Sequence, residues 1–83
     1  MNEVLMGIVV DMMAFLELSG DEVVDPDAAV SCLENISGEL QRLDGANRRV
    51  FLNHVKKQAA REQDQRRKEF LQSLPEAAGL MEE

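Results

Sequence analysis

The apolar positions of this chain are spaced for helices from end to end. The first stretch, Val4 to Leu18 (V-L-M-G-I-V-V-D-M-M-A-F-L-E-L), is too long for one strand. It also falls short of the ~20 residues needed to span a bilayer. At about 100° per residue, Leu5, Ile8, Val9, Met12, Phe15 and Leu16 share one broad side, the expected core stripe. A second stripe, Met6, Val10 and Met13, recurs at i, i+4 and i+7. Glu3, Asp11 and Glu17 take the remaining surface with Gly7 and Ala14. A helix apolar over most of its circumference has to be covered over most of it, and a short chain has few elements to do so. Either two other helices cover both stripes, or the second one meets a second copy or a partner. Methionine suits the latter role because its flexible thioether repacks against varied shapes. Asn2 is the predicted N-cap and Gly20 the predicted left-handed C-cap.

The second helix is predicted from Pro26 to about Leu43. Asp25 caps it, Pro26 occupies the first helical position, Asp27 sits on the positive end of the dipole, and Val24 can staple onto Ala29. Ala29, Leu33, Ile36, Leu40 and Leu43 form its packing seam. Gly38 lies on the opposite, exposed side. Asp44-Gly45 is a turn signal in which Asp44 can end the second helix and cap the third, and so short a connection makes the two helices antiparallel neighbours. The third helix is predicted from about Gly45 to Leu74, packing through Phe51, Leu52, Val55 and Ala59 and again through Phe70 and Leu74. The polar stretch between, R-E-Q-D-Q-R-R-K-E, is expected to stay helical through Glu62–Arg66 and Asp64–Lys68 pairs. Pro75 is expected to end it. The fold class that follows is all-α: a small three-helix domain over residues 1–75, with an antiparallel helix 2–helix 3 hairpin packed on an apolar helix 1. Residues 76–83 would be a short flexible acidic tail.

Charge sharpens this picture. Of 83 residues, 16 are acidic and 9 basic, for a net charge of -7. All of the bases lie between Arg42 and Lys68, while residues 1–41 carry only acids, so the chain is a dipole. Such acidity disfavours nucleic acid and favours a basic partner. The start has an acid at Glu3 and no basic leader region, and the single cysteine, Cys32, excludes an internal disulfide. A cytoplasmic protein without membrane attachment is expected, with Cys32 a small buried hydrophobe.

Candidate chemistry is sparse. The acidic link D-E-V-V-D-P-D lacks the spacing of a calcium loop. The lone histidine, His54, falls off the apolar face of its helix and is expected to be an exposed polar residue, and no base or acid is placed next to Cys32 by helical spacing to activate its thiol. No phosphate-binding glycine loop, metal-ligand spacing or hydrolase motif is present, so no catalytic, cofactor or metal residues are expected. The bases of the third helix (Lys57, Arg61 and Lys68 near one side, Arg49, Lys56 and Arg67 near another) wrap around it instead of forming one strip. Tyr and Trp are absent for base stacking.

What remains is protein binding. The expected contact set is the acids Glu17, Asp21, Glu22, Asp27 and Glu34, which steer a basic partner, with Met6, Val10 and Met13 as the apolar anchor. This makeup resembles in type the small immunity proteins and antitoxins that neutralise basic targets, although no motif carries the resemblance. Two alternatives are a small regulator that contacts nucleic acid through helix 3 and a structural subunit of a larger assembly. A homodimer through helix 1 or helix 3 is compatible with each.

Overall fold

A computed structural model describes residues 2–81 and contains only α-helices as regular structure among them: α1 (Glu3–Leu18), α2 (Pro26–Leu40), α3 (Gly45–Arg61) and α4 (Gln65–Ala77). The all-α expectation holds, with four helices in place of three. Glu82 and Glu83, the end of the expected tail, lie outside the described residues.

Capping explains most of the boundaries. Asn2 Oδ1 accepts from the Val4 and Leu5 N–H groups at 2.7 and 3.3 Å. Asp25 Oδ2 accepts from Ala28 N–H at 3.0 Å, and Asp44 Oδ1 from Asn47 N–H at 2.8 Å. Each side chain satisfies an amide that the helix itself cannot. The end of α1 differs from expectation. Ser19, with extended backbone, terminates it, and the Gly20 carbonyl instead accepts from Val23 and Val24 N–H to close the following turn. α2 stops at Leu40, and its last turns tighten through Arg42 N–H to Glu39 and Leu43 N–H to Leu40.

The main departure is at Glu62 to Asp64, where the expected long third helix breaks. Glu62 turns to extended backbone and its carboxylate accepts from the Gln63 and Asp64 N–H groups. Asp64 then caps α4 by accepting from Arg67 N–H at 3.0 Å. The i, i+4 pairs expected from Glu62 and Asp64 give way to these roles. The physical reason is geometric. A continuous helix from 45 to 74 would be roughly 45 Å long at ~1.5 Å per residue, against a longest extent of 38 Å for the molecule. It would also hold Phe51 and Val55 far from Leu71 and Leu74. Folding back after three residues makes α3 and α4 an antiparallel pair and brings these side chains into one core. The other intimate pair is α1 with α2, and α1 also packs on α3 and α4. The expected helix 2–helix 3 hairpin is therefore replaced by an α1–α2 pair laid against an α3–α4 pair.

Phe51, Leu71, Leu74, Leu80, Val10 and Val55 are the largest fully buried side chains. Pro75 does not end its helix: it lies inside α4, and its carbonyl accepts from Leu80 N–H at 2.8 Å. Proline forfeits only one amide here, in the last turn. Residues 76–80 accordingly do not fray from the body. Ala78 and Leu80 are buried, and the Ala78 carbonyl accepts from Gln41 Nε2 at 2.9 Å. Gly79 makes that turn possible with φ +72, and a Cβ on it would stand 2.7 Å from Gln41 Nε2.

An ionic knot at the α3–α4 turn joins it to α1. Arg67 Nη2 contacts Asp11 Oδ1 at 2.7 Å, and Arg67 Nε contacts Glu62 Oε1 at 2.8 Å. Replacing Arg67 with Met should cost about 1 kcal/mol, between the values for exposed and buried pairs. The difference from wild type in urea unfolding should shrink at high salt. Gly79→Ala should cost about 1–2 kcal/mol, since the residue is left-handed and its neighbour is close. Gly20→Ala, where a Cβ meets nothing within 4 Å, is the control and should be near neutral.

Candidate interaction surfaces

α1 is doubly apolar, as its sequence implies, but the stripes exchange roles. Met6, Val10 and Met13, expected as the partner anchor, are 1–3% exposed and sit in the core with Ala14. The expected core stripe faces outward: Leu5, Ile8, Met12 and Phe15 are 50–59% exposed, and Val4, on the same side, is 69% exposed. Val9 and Leu16 are half-buried at its margin. Periodicity defines both stripes but not which one points inward. The inward side is continued by buried Ala14 and half-buried Gly7. Met6 and Val10 therefore cannot anchor a partner without unfolding α1 from the body, and Met13 reaches the surface only at the floor of a groove.

The outward strip carries no charge. At about 100° per residue, Glu3 and Glu17 project well away from it, and Asp11, on its edge, is held by Arg67. Five large side chains at least half in water expose a few hundred Å² of contiguous apolar surface, the scale at which a patch on a monomer signals contact.

A second surface is the groove between α1, α2 and α4, with a volume of about 490 Å³. Its floor is apolar, including Met13, Leu33, Phe70 and Leu74, and its rim carries Glu17 and Glu34. The fold thus brings together two of the five expected contact acids. Glu17 also lines a smaller cleft with Asp21 at the end of α1. Glu22 and Asp27 are exposed and line neither hollow.

Cys32 and His54 differ from expectation in their surroundings. Cys32, at the flank of the α2 seam, is exposed, not buried. His54 is buried at 9% exposure, and among the described residues its Nε2 has no hydrogen-bond partner. It adjoins a polar hollow with Glu3, Asp11 and Arg61. Helical spacing placed it off the apolar face, but the crossing of α1 over α3 covers it. Arg48 donates from Nη2 to the Gln41 carbonyl at 2.7 Å and so braces the α2–α3 turn. Among the described residues, no group of three or more His, Cys, Asp or Glu is arranged to hold a metal ion, and no helix is long and apolar enough to cross a membrane.

No protein-family model, curated protein or solved structure matches this chain.

His54→Leu should keep or raise stability, by up to about 1 kcal/mol, because it removes a buried polar atom that lacks a partner. Thermal unfolding measures it. A loss larger than about 1 kcal/mol would mean that His54 makes a bond worth keeping.

Proposed function

We propose that this protein is a non-enzymatic interaction module, an acidic inhibitor of the immunity or antitoxin kind that binds and neutralises a basic partner. The observation that carries the reading is α1: a helix apolar on two opposite faces, of which only one is covered. Exposing such a strip costs solubility and gives nothing back unless something docks on it. Its neighbourhood supports the sign of the partner's charge. The helices α1 and α2 contribute acids and no bases, and Glu17, Asp21, Glu22, Asp27 and Glu34 are all exposed. Such acids accelerate encounter with a basic surface, and the apolar strip supplies affinity once water is expelled. Self-association through α1 is a second reading, favoured by the same absence of charge in the strip, since two copies of net charge -7 can meet there without opposing carboxylates. Contact with nucleic acid through α3 has less in its favour, since Arg48 of that helix is engaged within the fold, as is Arg67 in the first turn of α4.

Tagged capture from lysate of the source cell, at low and high salt, tests the reading. One basic protein should be retained in stoichiometric amount. It should be lost with Ile8→Lys/Met12→Lys and weakened by Asp21→Lys/Glu22→Lys, with helix content unchanged in each. Recovery of nucleic acid at low salt only would move the function to α3. Recovery of the chain alone, at twice its monomer mass, would mean that the strip serves self-association.

A further inference from the structure

We propose that the groove between α1, α2 and α4 receives the apolar face of a basic amphipathic helix from the partner protein. This rests on the reading of a basic partner and adds to the α1 strip a second contact site, with the form of the partner segment that fills it. The walls of the groove have helical periodicity on both sides. On α2 and its C-cap the lining positions are 30, 33, 34, 37, 38 and 41, and on α4 they are 70, 73, 74 and 77. Each set is one continuous helix face, so two ridges of side chains flank a single trough. Another helix fills such a trough by ridge-into-groove packing, with anchors at i, i+3, i+4 and i+7. Extended peptides dock by adding to a sheet edge, and no strand occurs among the described residues.

Charge selects the kind of helix. The lining includes Glu17 and Glu34 and no Lys or Arg. A helix with Lys or Arg flanking its apolar stripe would place cations against these carboxylates, whereas an acidic helix would be repelled. The chain's own basic helix in a second copy is a poor occupant. The apolar residues of α3, Phe51, Val55 and Ala59, are already buried, and Val50 is its one large apolar side chain in the exposed class. Gly38 at the groove wall is open: a Cβ built there meets nothing within 4 Å. Nothing on the partner's backbone is held off at that point.

The open position also supplies the test. The probe is a fluorescent amphipathic peptide of about 18 residues, Leu on one face and Lys on the other, titrated against the full chain. A matched Leu/Glu peptide is the control. The Leu/Lys peptide should bind at one to one and perturb backbone amide resonances of Ser37, Gly38 and Ser73. Gly38→Leu, which obstructs the trough while improving helix propensity, should weaken binding about tenfold or more without lowering the unfolding temperature. Glu17→Lys/Glu34→Lys should weaken it similarly and flatten its salt dependence. The groove proposal is overturned if Gly38→Leu binds like wild type, if the Leu/Glu peptide binds equally, or if no peptide binds. Binding that survives Gly38→Leu but is lost in Ile8→Lys/Met12→Lys would overturn the groove while leaving the basic-partner reading intact. Concentration-dependent dimerisation abolished by Gly38→Leu would make a second copy the occupant and overturn it too.

Discussion

The turn at Glu62 to Asp64 is the constraint on which the other contacts rest. It converts a polar run that could have continued as helix into a hinge between two packed helices. Three groups hold it. Asp64 caps the new helix, Glu62 supplies acceptors to the turn's own amides, and Arg67 binds Glu62 while reaching across to Asp11. Only after that reversal do Phe51 and Val55 meet Leu71 and Leu74, and only then is there a surface on which α1 can bury Met6, Val10 and Met13. The contacts of Arg67 are partly shielded, so they are less diluted by water than an exposed pair such as Arg42–Glu39. The far end of the molecule is closed differently, by Gln41. Its side chain holds the Ala78 carbonyl, its own carbonyl accepts Arg48, and Gly79 leaves room for it.

The apolar inventory then exceeds what this arrangement covers. A chain of 83 residues has a high ratio of surface to volume. One α1 face, one α2 seam and the facing sides of α3 and α4 complete its core. The outward α1 strip and the groove at α2 and α4 are what remain. They differ in character: the strip is convex and free of charge, while the groove is concave and rimmed by Glu17 and Glu34. The proposed binding role would draw on both, apolar area for affinity and placed charge for selection.

The opposed charges of the two halves of the chain are not used up inside the fold. Among the described residues, Arg67–Asp11 and the adjacent Arg42–Glu39 are the ion pairs that join an acid of residues 1–41 to a base beyond them. The other described acids of the first half form no ion pair with a base among the described residues, Asp25 serving instead as the α2 cap. Self-repulsion is the expected cost of such an acidic face, and the proposed basic partner would relieve it.

Much of this was readable from one sequence. The all-α class, the caps at Asn2, Asp25 and Asp44, the α2 seam through Ala29 and Leu40, and the excess of apolar surface on α1 all follow from local rules. Periodicity and capping act within a few residues of their cause. Tertiary structure decided which α1 stripe is core, because a helix apolar on two faces satisfies the same periodicity either way up, and only the shape of the opposing helices breaks the tie. It decided the hinge at Glu62, where the weak preference of a polar run to stay helical, a few tenths of a kcal/mol per ion pair, is outweighed by burial of Leu71 and Leu74. It buried His54 beneath α1, exposed Cys32, tied Leu80 into the core despite Pro75, and brought Glu17 and Glu34 to one groove. Each of these depends on contact between residues distant in the chain, whose free energy no local pattern contains.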